Sequence, residues 1–124
     1  MNDRIIHKEI SEVIVGAAMT VLNTLKPGLS EKAYENALMI ELTKRHRVVD
    51  QQKRFEVLYD GINVDTLIPD LIVDDRVIVD TKVVEQFTDT HIAQMMGYLA
   101  ITGYRLALLI NFKHAELKWK RIVR

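Results

Sequence analysis

Pro69-Asp70 and Asp80-Thr81-Lys82 set two carboxylates and an amine at the ends of two short apolar runs, Leu71-Ile72-Val73 and Val77-Ile78-Val79. Asp74-Asp75-Arg76 between the runs reads as a turn, so the segment reads as a hairpin. Asp70 then enters the first strand, and Asp80 and Lys82 lie near the end of the second. Side chains alternate along a strand, so residues 80 and 82 share one face. Two acids can hold a hard cation such as Mg2+ or Mn2+, with the backbone carbonyl of Thr81 as a further oxygen ligand. Lys82 beside them would orient the attacking water, help it lose a proton, or offset charge on a pentavalent phosphate. That is the chemistry of metal-assisted phosphodiester cleavage. Acids on a solvent-facing hairpin are the competing reading. Against it, an acid closing a buried strand needs a partner or a metal.

Two further groups stand out. In Gly28-Leu-Ser-Glu31-Lys-Ala-Tyr34, Glu31 falls in the first turn of a helix, where the dipole favours a carboxylate regardless of function. Gly28 would end one helix, Ser30 cap the next, and Tyr34 join the core; the functional alternative has Glu31 reaching the same cation or its water. In His91-Ile-Ala-Gln94-Met-Met-Gly-Tyr98, spacing puts His91, Gln94 and Tyr98 on one helix face. They could donate hydrogen bonds to phosphate or position the lysine, and an interface or ordinary surface stripe explains the spacing equally. His7, His46 and His114 lack metal-ligand spacing and read as surface residues. Trp119 reads as a packing residue rather than a base-stacking one.

These groups need a scaffold. Ile6, Ile10, Val13, Ile14, Ala17, Val21 and Leu25 repeat with helical spacing, with Asn2 or Asp3 as cap and Lys26-Pro27-Gly28 as stop. A second helix is expected from Glu31 to about Arg45, with Leu29 stapled onto Tyr34 and a stripe of Tyr34, Leu38, Ile40 or Glu41, and Leu42. Strands follow at Phe55–Tyr59, Ile62–Val64 and the two runs above. A helix capped at Thr88, Asp89 or Thr90 carries Ile92, Met95, Met96, Leu99 and Ala100, and Gly103 ends it. Leu106–Ile110 reads as a strand buried on both faces, and Leu117, Trp119 and Ile122 as a more exposed last strand. The predicted order is two helices, about four strands, one helix and two strands: a mixed α/β fold with a helix-flanked sheet.

The sequence has 124 residues, 48% hydrophobic and 27% charged, which is ordinary for one soluble globular domain spanning 1–124. It has no cysteine, which excludes disulfides and thiolate metal sites and fits a reducing compartment. No apolar run spans a membrane and no signal-peptide core is evident, so the cytoplasm is the expected location. Net charge is zero, yet nine acids between Glu56 and Asp89 face only Arg76 and Lys82. Basic residues flank this stretch, from Lys44 to Arg54 and from Lys113 to Arg124, an arrangement suited to a cation between phosphate-holding segments. Alternating surface charge would look the same.

Taken in chain order, Gly28, Glu31 and Tyr34, then Pro69-Asp70, Asp80-Thr81-Lys82, Gln94, Tyr98 and the closing Leu108-Leu-Ile-Asn-Phe112, the sequence resembles the GxxExxY protein family of the PD-(D/E)XK nuclease superfamily. The resemblance implies a restriction-endonuclease-like core, a central mixed β-sheet with helices on both sides. It implies Asp70 and Asp80 as metal ligands, Glu31 as an acid from the helix, Lys82 as the catalytic lysine, and Gln94 and Tyr98 as supporting residues. Asp80-Thr81 departs from the Glu-Leu found in many family members. The implied activity is Mg2+- or Mn2+-dependent cleavage of DNA, with RNA as the second substrate. The alternative is a non-catalytic module, or an accessory subunit, that keeps the nuclease fold and binds nucleic acid or protein. Neutral charge and small size point to a homodimer or a protein partner as supplier of extra basic surface.

Overall fold

The computed structural model describes residues 5–124, so the proposed caps Asn2 and Asp3 lie outside the described residues. Helix α1 spans Lys8–Leu25, and the residue before it, His7, is left-handed and makes no side-chain cap. Lys26 and Gly28 carry positive φ and turn the chain. Helix α2, Glu31–Lys44, starts as expected: Ser30 Oγ accepts the Ala33 amide at 3.3 Å. Leu29 does not staple onto Tyr34; its side chain is exposed, and its amide donates instead to the Tyr34 hydroxyl at 3.1 Å. Ile40 is also exposed, because the buried stripe is Tyr34, Glu35, Leu38 and Leu42.

The strands are β1 Val49–Gln51, β2 Phe55–Tyr59, β3 Ile62–Leu67, β4 Leu71–Val73 and β5 Val77–Lys82, followed by helix α3 Asp89–Thr102, β6 Leu106–Asn111 and β7 Lys118–Val123. Strand β1 is one more than expected. Val49 is its only apolar residue, and its pairing with β4 decides its state. The main sheet runs β1-β4-β5-β6-β7, with β5 and β6 parallel and the other pairs antiparallel; β2 and β3 form a separate hairpin. That is the mixed α/β architecture of the restriction-endonuclease-like fold.

Alternation divides the sheet between two cores. Leu71, Val73, Val77, Val79, Leu106 and Leu108 pack with α1 and α2. Ile72, Ile78, Ala107 and Leu109 pack with Met95 and Leu99 of α3. Met96 and Ala100, expected on the core side, point outward, since only Met95 and Leu99 of that helix are buried. Among the described residues, no helix is long and apolar enough to cross a membrane.

Candidate active site

The β4–β5 hairpin closes at Asp74-Asp75, both left-handed, the conformation that aspartate tolerates in a tight hairpin turn. At its other end the strands part after the Leu71–Val79 pair, and Asp70 and Asp80 face each other across the mouth. Here the carboxylates replace the backbone ladder. Asp80 Oδ1 accepts the Asp70 amide at 3.0 Å, and Asp70 Oδ2 accepts the Thr81 amide at 2.9 Å and the Thr81 hydroxyl at 3.1 Å. Asp80 is 5% exposed.

Each acid therefore spends one oxygen on backbone. Among the described residues, Asp70 Oδ1 and Asp80 Oδ2 receive no hydrogen bond, and Lys82 Nζ stands 3.9 Å from Asp80 Oδ2, a loose ion pair. The pair is electrostatically uncomfortable. Burial, then the charge of Asp70, pushes the Asp80 carboxyl up to about 7, with Lys82 offsetting part of the rise. Burial also raises Asp70, against the stabilising Thr81 hydrogen bonds and with help from the Glu35 charge.

Glu35 is the acid that sequence reasoning missed. It is 3% exposed and lies on the buried face of α2 between Tyr34 and Leu38. Its Oε2 accepts Gln51 Nε2 at 2.7 Å and Gln52 Nε2 at 2.8 Å, and Lys32 Nζ reaches Oε1 at 3.1 Å. The Gln52 amide also donates to the Asp70 carbonyl at 2.9 Å, which links Glu35 to the hairpin mouth through a single residue. The available signal was an acid three and seven residues before Leu38 and Leu42, inside an apolar stripe.

The other expected residues divide. Glu31 Oε2 accepts the Val83 amide at 3.3 Å, so the first turn of α2 anchors the chain just beyond Lys82. Burial, then the charges of Asp80, Asp70 and Asp65, raises the Tyr98 phenol, and Gln94 Nε2 donates to that hydroxyl at 3.3 Å. Tyr34 has no exposed surface. It stacks on Phe112 at 4.7 Å and donates to the Lys26 carbonyl at 2.6 Å, which fixes the corner that launches α2. His91 closes the cap of α3, where its Nδ1 accepts the Thr88 amide at 3.0 Å. The basic flank before the site is largely committed: Arg45 pairs with Glu41 at 3.0 Å and Arg47 with Asp74 at 2.8 Å.

A divalent cation suits this donor set. Two anionic oxygens without hydrogen bonds sit where burial makes their charge costly, and an ion that keeps several waters needs only one or two carboxylates. No third His, Asp or Glu joins them as a ligand cluster among the described residues. The charge of Glu35 adds to the rise of both carboxyls, behind burial.

Comparisons with known proteins agree with this architecture. Two solved structures of the alkaline exonuclease LHK-Exo from Laribacter hongkongensis, one in complex with dAMP, superpose with TM-scores of 0.54 and 0.51. Each is 14% identical and aligns over 92% of this chain and 82% of the exonuclease, a likeness of fold. No curated protein sequence matches the chain. The family profile of the PD-(D/E)XK nuclease superfamily matches residues 8–122, nearly the whole chain and every acid described above. The chain belongs to that superfamily.

Proposed function

We propose that residues 1–124 form one nuclease domain of the GxxExxY type, which hydrolyses phosphodiester bonds of DNA, with RNA as second substrate, using Mg2+ or Mn2+ in the cytoplasm. The observation that carries this reading is the facing pair of half-buried Asp70 and buried Asp80, mutually repelling and only loosely offset by Lys82. Asp70 and Asp80 would hold the cation, with the Thr81 carbonyl as a further ligand. When bound, the cation supplies Lewis-acid polarisation of the phosphate and a lowered pKa for water. Lys82, at the rim of the pair, holds a proton donor or positive charge next to the developing phosphorane. Tyr98 and Gln94, joined by their hydrogen bond, offer a polar wall to the phosphate. Glu31 fixes the chain after Lys82, and Glu35 adds negative charge that draws a cation in.

The test compares wild type with Asp80→Ala on labelled single- and double-stranded DNA and RNA, with Mn2+ and with chelator. Cleavage by wild type alone, abolished by chelator, is the expected result. Cleavage by neither folded protein would replace this reading with a binding module or accessory subunit. Undiminished cleavage by the variant would remove Asp80 from the site.

A further inference from the structure

The β2–β3 hairpin and strand β7 are opposite in charge and alike in exposing apolar side chains. Residues 55–67 contain three acids, Glu56, Asp60 and Asp65, and no lysine or arginine; the nearest cations along the chain are Lys53, 5.6 Å from the Phe55 ring, and Arg54 at the hairpin's base, away from its tip. Their tip carries Tyr59 at 70% and Ile62 at 68% exposure, paired across the strands on one face, with Leu58 and Val64 also exposed. The hairpin's base packs on the core through Phe55, 6.2 Å from the Tyr104 ring, but its tip leaves a contiguous apolar surface of the kind that marks an interaction site. Residues 118–124 contain four cations, Lys118, Lys120, Arg121 and Arg124, and no acid. Among the described residues strand β7 is the sheet edge, which leaves backbone groups on its outer side open to pairing. Beside it a groove of about 380 Å³ runs against α1, lined by Val15, Met19 and Trp119. Trp119 is thus half exposed at this groove instead of fully packed.

We infer that the acidic, apolar hairpin of one copy of this chain docks on the β7 edge of a second copy, head to tail, straddling that edge between the groove beside Trp119 on the α1 face and Lys118 and Lys120 on the opposite, α3 face. Charge selects this pairing over the symmetric ones. Two β7 edges side by side would oppose cations to cations, and two hairpins acids to acids. The hairpin's carboxylates also repel a phosphate backbone, so its exposed face suits protein rather than nucleic acid. Lys118 is matched already by Glu116 at 2.6 Å, Arg121 is tied to Ser11 Oγ at 2.7 Å and the Ile6 carbonyl at 2.9 Å, and Arg124 to the Tyr104 and Gly103 carbonyls, which leaves Lys120 as the more telling cation. Head-to-tail docking leaves each copy with one free hairpin and one free edge, so the assembly closes into a ring or continues.

The experiment measures molar mass by light scattering and sedimentation on the full chain and on two charge-reversed variants, Glu56→Lys/Asp60→Lys and Lys118→Glu/Lys120→Glu. Melting curves confirm that each variant is folded. Wild type is expected to exceed monomer mass, and each variant alone to dissociate at roughly tenfold or more higher concentration. Mixing the two variants is expected to restore assembly, since each supplies the complement that the other lost. A wild type that stays monomeric at its highest soluble concentration overturns the inference, as does assembly indifferent to both reversals or not restored by mixing. If Lys118→Glu/Lys120→Glu alters only retention of a labelled oligonucleotide, the basic edge is a nucleic-acid surface instead.

Discussion

The two ends of the β4–β5 hairpin each carry a pair of aspartates in opposite electrostatic circumstances. At the turn, Asp74 accepts Arg47 Nη1 at 2.8 Å and the Val48 amide at 3.0 Å. Burial works to raise its carboxyl, but the Arg47 and Val48 hydrogen bonds and the Arg47 and Arg76 charges hold it below its ordinary value. Asp75 beside it accepts the Tyr104 hydroxyl at 2.5 Å, and burial followed by that bond pushes the phenol up to about 12. At the mouth, Asp70 and Asp80 face each other with no guanidinium from the described residues, and both carboxyls are raised. One end uses acids to fasten β1 to the sheet. The other keeps acids whose charge the fold alone does not neutralise, which is expected of a site that awaits an external cation.

The strongest way to break this contrast is Asp80→Ala. Loss of groups that merely orient metal ligands costs 10–100-fold, so loss of a ligand should lower Mn2+-supported cleavage by more than about 100-fold. In the same protein at pH 8 without metal, the melting temperature should stay level or rise, because a buried charge is gone. A large fall in melting temperature instead would assign Asp80 to structure.

Glu35→Gln sharpens the contrast from behind. The Gln51 and Gln52 amides can still reach an oxygen, but the charge that raises Asp70 is lost. Mn2+ binding, read by calorimetry, is expected to weaken about 10-fold. An unchanged affinity would confine Glu35 to packing.

Asp74→Ala tests the turn. It strands Arg47, whose Nε is already buried without a partner among the described residues, and should cost about 1–3 kcal/mol in denaturant melts. Cleavage per folded molecule should not change. Replacing both Asp74 and Arg47 by apolar residues should recover part of the loss.

The smallest effect is the difference in pH response. Asp80 binds its proton more tightly when folded than when unfolded, so metal-free stability should fall as pH rises from about 3.8 towards about 7. Asp74 has the opposite sign: its contribution is present above its ordinary pKa and is lost as acid protonates the folded form. Thermal melts should thus drop by a few degrees between pH 5 and 8 without metal. Saturating Mn2+ should reduce or reverse that drop. A flat metal-free profile would mean that the mouth is better neutralised than its geometry indicates.

Much of this was legible in the chain. Two uniformly apolar runs on either side of Asp74-Asp75 dictated the hairpin, and with it which acids share the mouth, because register follows from the turn between them. Ser30, Thr88 and Gly103 marked helix ends by local chemistry, and all three act there. Other features had no local signal. Strand β1 exists because β4 pairs with it, and Glu35 lies near the mouth because α2 packs across β1 and places it against Gln51 of that strand and Gln52 just after it. Met96 and Ile40 looked like core by spacing and are exposed, because the width of a helix's buried stripe depends on what lies opposite. His91 and Tyr34 shared motifs with the site residues, yet their hydrogen bonds go to helix caps and corners. By itself the sequence determined the covalent order of the acids, the strand that carries Asp80 and Lys82 on one face, and the helix ends. Only the tertiary structure decided which acids are paired by arginine and which are left to repel, since charge partners meet across elements and depend on distance rather than on position along the chain.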